Sequence, residues 1–144
     1  MTQPNEHSVE LSIPSILGYE KVAMATAAVL GQELGFSQAR IDDLRTAVSE
    51  ACLNAIEHGN NQDASVQVQV KFTTRSSGLQ VEVRDRGRGI IERPSPPRIK
   101  DKMAGKGTFR GWGLFLIERL VDEVAFEPQP EDGHIVRLTM YCET

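Results

Sequence analysis

Val9, Leu11 and Ile13 alternate with polar neighbours, which predicts a strand ending at Pro14. From Ile16 to Leu34 the alanines, Leu17, Val22, Val29 and Leu30 suit a helix that stops near Gly35. Ser37 then reads as an N-cap. Arg40 to His58 carries Ile41, Leu44, Ala47, Val48, Ala51 and Ala55 at helical spacing, with Gly59 as the expected C-cap. Val66, Val68, Val70 and Phe72 alternate cleanly, as do Leu79, Val81 and Val83, and Ser76-Ser77-Gly78 between them predicts an antiparallel hairpin. No apolar period runs from Asp85 to Gly111, where Pro94, Pro96 and Pro97 mark a long loop of the kind that compact domains keep for function. Trp112 to Val121 returns to helix; Val124 and Phe126 predict a short strand, Pro128 to Gly133 a turn, and Ile135, Val136, Leu138 and Met140 a last strand. This order predicts a two-layer α/β sandwich: a mixed, mostly antiparallel sheet with helices on one face.

Composition narrows the classes without naming one. The 144 residues fit one domain spanning 1–144, and 40% hydrophobic with 25% charged residues is the balance of a soluble globular chain. A net charge of −4 speaks against a nucleic-acid partner, which calls for a basic face, but leaves a single nucleotide ligand open. Cys52 and Cys142 have neither metal-ligand spacing nor a disulfide framework. The polar N-terminus lacks the apolar run of a signal peptide, and the longest uncharged stretch, from Val22 up to the charged Glu33, is too short to span a bilayer. A reducing cytoplasm, away from any membrane, is the expected location.

Three constellations carry chemistry. Glu50 and Asn54 are four apart on a predicted helix, so both side chains lie on one face, beside the small Ala47, Ala51 and Ala55. A carboxylate and an amide so placed can set a proton acceptor beside a magnesium ligand, or both can be solvated surface groups. The second is Asp85-Arg86-Gly87-Arg88-Gly89-Ile90, directly after a strand: an aspartate there can accept a hydrogen bond from an exocyclic amine, with glycines giving close approach. A plain turn uses the same residues. The third is Gly105-Lys106-Gly107-Thr108-Phe109-Arg110-Gly111-Trp112-Gly113-Leu114, which runs into a helix. Free N–H groups, the helix dipole and nearby cations favour phosphate there, although a solvated linker has a similar composition. It is neither a Walker A loop nor a dinucleotide fingerprint.

In order and spacing, the three together resemble the GHKL superfamily of ATPases: gyrase, the heat-shock chaperone, histidine kinases and the mismatch-repair ATPase. Within it the chain is most similar to the anti-sigma factor serine-protein kinases of bacteria, on Ser49 to Ala55, Val83 to Ile90, Gly111 to Ile117 and the Asp122-Glu123-Val124 that follows. The resemblance implies the Bergerat-type ATP-binding fold with an ATP lid at about 91–110. It implies Asn54 as the Mg²⁺ ligand, Glu50 as the base toward a serine or threonine hydroxyl, and Asp85 at the adenine amine with Gly87, Gly89 and Ile90 around the base. Gly111, Gly113 and Leu114 would offer backbone N–H groups to phosphate, with Lys106, Arg110 and Lys102 as lid contacts. It further implies a homodimer that sequesters a sigma factor and phosphorylates an anti-anti-sigma antagonist protein with ATP and Mg²⁺. One position departs from the pattern: where the superfamily commonly sets a threonine against adenine, the pair here reads Gly133-His134, with Thr139 further along the same predicted strand. A nucleotide-dependent binding switch without phosphate transfer is the alternative, against which a retained Glu50 counts. A detached histidine-kinase catalytic domain is a third, for which the dimerisation helices and acceptor histidine are missing.

Overall fold

The computed structural model describes residues 6–87, 109–128 and 133–142. Strand β1 (His7–Pro14) leads to helix α1 (Glu20–Glu33), helix α2 (Gln38–Asn54) and a π-helical turn (Ala55–Gly59). The hairpin β2 (Gln67–Arg75) and β3 (Gly78–Asp85) follows, then helix α3 (Phe109–Leu120), β4 (Glu123–Pro128) and β5 (His134–Tyr141). The strands form one sheet in the order β1-β2-β3-β5-β4, and all four pairings are antiparallel. The expected sandwich is therefore present, but the mixed component of the sheet is not found among the described strands.

Register explains why one face is core and the other is not. Leu11, Val70, Val83, Val136 and Phe126 lie in one cross-strand row, and Val9, Phe72, Val81, Leu138 and Val124 in the next. Their offset neighbours, such as Glu10, Lys71, Glu82, Arg137 and Ala125, make a polar row on the opposite face. The period of two thus writes an apolar inner face and a charged outer one. Val70, Val81, Phe72 and Leu138 are essentially fully buried, each adding about 1.5–3 kcal/mol through lost water contact.

Helix α2 is the centre of the helical layer, with Ile41, Leu44, Ala47, Val48, Ala51 and Cys52 buried. The small Ala23, Ala27 and Gly31 let α1 lie close to it; a Cβ at Gly31 would stand only 3.2 Å from Ile41 Cγ1. Ser37 does cap α2, its hydroxyl accepting from Arg40 N at 3.3 Å. Arg40 then donates to both Asp122 oxygens and, at 2.8 Å, to the Tyr141 carbonyl, tying the start of α2 to the α3–β4 junction and the end of β5. This hydrogen bonding is the main reason the Asp122 carboxyl is held below the usual range.

Three boundaries differ from expectation. Residues 16–19 form tight turns rather than helix, because Gly18 has φ +107° and the Gly18 N–H is taken by the Glu20 carboxylate at 2.6 Å. Helix α2 does not run regularly to His58: at Ala55 it widens to a π turn, closed by Asn60 N to Ala55 O at 2.8 Å. Gly59 is not its left-handed cap; Asn61 and Gln62 take the positive φ values, +51° and +55°. Helix α3 starts at Phe109, three residues before the expected Trp112. Of the expected lid, 91–108 lies outside the described residues. Among those described, no helix is long and apolar enough to cross a membrane.

Candidate nucleotide site

Strand β3 delivers Asp85 to the inner face of the sheet, and β5 delivers His134 directly opposite it in the register. Both are buried. Helix α2 lays Ala51, Asn54 and Ala55 over them, so that these residues, with Val83, Phe126, Glu127, Ile135 and Val136, line a narrow cleft. The cleft is tight, with room for the centre of a water-sized sphere over only about 10 Å³. Two wider hollows, of about 480 and 470 Å³, lie mainly over the open sheet face and are lined largely by charged and polar side chains. Composition rather than size marks the slit: an apolar slot with a few converging polar groups is the usual make-up of a ligand site.

Those polar groups have unmet capacity. Asn54 is buried, and among the described residues its Nδ2 has no hydrogen-bond partner. An orphaned amide costs about 1–3 kcal/mol, so its place at the cleft suits a group whose partner comes from outside the described residues. His134 Nδ1 is likewise buried without a hydrogen-bond partner, 3.9 Å from Asp85 Oδ1. Asp85 Oδ1 accepts from the Gly87 N–H at 3.1 Å, which fixes the carboxylate against the turn that follows β3. Among the described residues no three His, Cys, Asp or Glu side chains converge on a metal site. A hard cation held by the Asn54 amide oxygen would thus draw its other ligands from phosphate and water, as magnesium commonly does. The amide oxygen of Asn54 has the chemistry to hold that ion, whereas its orphaned Nδ2 is a donor suited to a phosphate or water oxygen.

Glu50 lies one turn before Asn54 on the same helical face but does not line the slit. It is half-buried, and its carboxyl is pushed above the ordinary glutamate range, first by loss of solvent and second by the negative charge of Glu57. A carboxylate so raised is a better proton acceptor near neutral pH than a free glutamate.

Two residues that shape the site had other readings in the sequence or none. Gly59, expected to be a cap, sits where the π turn meets β3. A Cβ there would stand 2.5 Å from Asp85 Oδ2, and one at Gly87 would collide with the Gly59 carbonyl. Both glycines are thus required by backbone packing that brings helix and strand together behind the Asp85 carboxylate. Asn60 is buried and stitches three segments: its Nδ2 donates to Ser15 Oγ at 3.0 Å, and its Oδ1 accepts from Arg86 N at 2.8 Å. The sequence shows only an asparagine directly after His58-Gly59, with no local mark of its partners. Thr139 pairs with Gln80 on the outer face and is away from the slit, so it does not stand in for the missing threonine.

Gly89, Ile90, Lys106 and Lys102 lie outside the described residues. Arg110, Gly111, Gly113 and Leu114 fall within the first turns of α3 rather than before it, and their side chains are outside what is described.

Comparison with known proteins identifies the family. The pattern of the histidine kinase-like ATPase domain matches residues 15–140. The serine-protein kinase RsbW of Oceanobacillus iheyensis is 32% identical over 129 residues, covering 87% of this chain and 82% of that protein. RsbW of Bacillus velezensis is 31% identical, covering 92% and 84%, and that of Bacillus subtilis 29%, covering 95% and 87%. In fold, a crystal structure of the RsbU and RsbW domains of a Mycobacterium tuberculosis protein superposes with a TM-score of 0.67 at 20% identity, over 96% of this chain and 33% of that one. The chain belongs to the histidine kinase-like ATPase family and stands within it beside the RsbW serine-protein kinases.

Proposed function

We propose that this chain binds Mg-ATP in the Asn54–Asp85 slit and transfers the γ-phosphoryl group to a serine or threonine of a small antagonist protein of the anti-anti-sigma type. In the same reading it sequesters a sigma factor when the antagonist is phosphorylated, and works as a cytoplasmic homodimer. The observation that carries the proposal is the buried pair of Asn54 and Asp85 in one slot, with the raised carboxyl of Glu50 one helical turn away. The names of its RsbW relatives support the reading.

Each residue has a task that its surroundings fit. Asp85, held by the Gly87 N–H, accepts from the exocyclic amine of the base. Asn54 would hold Mg²⁺, which supplies charge neutralisation at the phosphates. Glu50 takes the proton from the attacking hydroxyl as the new oxygen–phosphorus bond forms and the bond from the γ-phosphorus to the β,γ-bridging oxygen breaks, with ADP as the leaving group. Of the expected phosphate donors, only Gly111 falls among the first four residues of α3, whose N–H groups have no intrahelical acceptor; Gly113 and Leu114 lie one turn further in, and the positive end of the helix dipole beside Gly111 favours phosphate. Positioning and electrostatics, with little covalent participation, are what phosphoryl transfer asks of a protein.

The test is incubation with [γ-³²P]ATP, Mg²⁺ and an antagonist encoded beside the gene. Labelled phosphoserine or phosphothreonine in the antagonist is expected. Tight ATP binding without label in any such antagonist would sink the transfer step and leave a nucleotide-dependent binding switch.

A further inference from the structure

Arg40 stands in the first turn of α2, yet its side chain serves the far end of another helix. Nη1 and Nη2 donate to the two Asp122 oxygens at 3.3 and 2.9 Å, and Nη2 donates again to the Tyr141 carbonyl at 2.8 Å. The Tyr141 N–H donates back to Asp122 Oδ2 at 2.7 Å, and the Asp122 N–H to the Thr139 carbonyl at 3.0 Å. One guanidinium, one carboxylate and both backbone groups of Tyr141 thus close a ring. A planar fork on a carboxylate fixes direction as well as distance, which an ammonium does not. Val121 and Asp122 alone separate α3 from β4, so a carboxylate fixed there leaves the end of α3 little slack. Ile117 of α3 and Val121 just beyond it share one core cluster with Leu44 and Val48 of α2.

We propose that Arg40 and Asp122 are positioning residues for the phosphate end of the nucleotide site, acting by aiming α3. This rests on the nucleotide reading above and deepens it. The start of α2 is bonded to the end of α3 and the two helices pack together, so they run antiparallel. From Arg40 to Asn54 is about 21 Å along α2, and α3 is about 18 Å long at 1.5 Å per residue. The start of α3, with Gly111, is thereby brought level with the end of α2 that carries Asn54. The clamp holds one end of this lever, and the N–H groups without intrahelical acceptors lie at the other. A tilt of about 5° at the clamped end carries the far end roughly 1.5 Å over a helix of this length, which is enough to break a hydrogen bond there. The base is held by other contacts. Asp85 is fixed by the Gly87 N–H, whereas Tyr141 of the clamp pairs with Gly78, at the opposite end of β3.

Titrations with adenosine and with Mg-ATP, followed by NMR chemical shifts in the wild type, Arg40→Lys, Arg40→Gln and Asp122→Asn, separate the two ends of the site. Adenosine engages the slit alone and is expected to bind all four proteins within about twofold, the scatter between distant sites. Mg-ATP should bind Arg40→Gln and Asp122→Asn about 10- to 100-fold more weakly than the wild type, the range for one lost charged hydrogen bond. Arg40→Lys, which keeps the charge without the fork, should fall between. The ratio of the two affinities is unaffected by any loss of folded protein, so a destabilised variant still reports. A lowered melting midpoint with an unchanged ratio would overturn the proposal and leave the clamp a purely structural contact. Equal weakening of adenosine and Mg-ATP would overturn it as well. Failure of the wild type to bind Mg-ATP in the same titration would overturn the nucleotide reading and this assignment with it.

Discussion

Replacing Gly59 by alanine puts a methyl group 2.5 Å from Asp85 Oδ2 and 2.6 Å from Asp85 Cβ, where ordinary contact needs 3.4–4 Å. The Asp85 carboxylate must therefore move about 1 Å, or the π turn must lift from β3. The backbone of Gly59 is not left-handed, and helix propensity by itself would favour alanine by about 1 kcal/mol. Any loss of stability thus measures the collision. Overpacking of this kind costs about 1–3 kcal/mol, which at this chain length lowers the melting midpoint by roughly 2–12 °C. Nucleotide binding should suffer separately. A base whose amine no longer meets the carboxylate loses a charged hydrogen bond of about 1.5–3 kcal/mol, a roughly 10- to 150-fold weaker Kd. Calorimetric titration of ATP, run well below the melting midpoint of the variant, measures this term. If Gly59 acts through Asp85, then Gly59→Ala made on top of Asp85→Asn should weaken ATP binding little further. Wild-type affinity in Gly59→Ala, or full additivity in the double variant, would refute the reasoning.

Other outcomes follow from the same surroundings. Glu57→Gln removes the second cause of the raised Glu50 carboxyl, so the acid limb of the phosphotransfer pH profile should move to lower pH; a limb that stays put would detach it from Glu50. Because the folded state raises this carboxyl, Glu50 favours folding while protonated, below the unfolded value of about 4.3, and loses that contribution as pH rises through the folded value. Glu50→Gln should accordingly melt higher than the wild type at pH 7, with the gap closing near pH 4, as differential scanning fluorimetry can read. Asn60→Ala leaves the Arg86 N–H and Ser15 without their partner and should cost about 1–3 kcal/mol in denaturant unfolding. It should also weaken ATP binding, because the segment carrying Asp85 and Gly87 loses its tie.

How far the sequence reached depended on whether the determining physics was local. The period of two in Val68, Val70 and Phe72 and in Leu79, Val81 and Val83 is a local signal, and both strands and their hairpin lie where it put them. Ser37 as N-cap is also local. Glu50 and Asn54 share a helical face for the same reason, and the register of Asp85 at the end of a strand was readable from its position. What was not readable came from contacts between distant segments. Nothing near Gly59 tells a cap from a collision with Asp85, 26 residues on. The widening of α2 at Ala55 likewise lets Asn60 reach Ser15 and Arg86, both remote in sequence. Strand order decides that β5 lies between β3 and β4, and with it that His134 faces Asp85 while Thr139 turns away. The start of α3 at Phe109 lies in a glycine-rich stretch where propensity favours loop.

The central claim divides the site into a slit that binds ATP and a carboxylate that moves a proton. It is tested most directly by measuring Mg-ATP affinity and phosphotransfer rate in the same preparation of Glu50→Gln, beside the wild type. The account predicts an ATP Kd within about threefold of wild type, because Glu50 does not line the slit. It predicts transfer to the antagonist slowed by about 10²- to 10⁴-fold, the contribution of a positioned general base. Phosphotransfer at the wild-type rate in Glu50→Gln would contradict it.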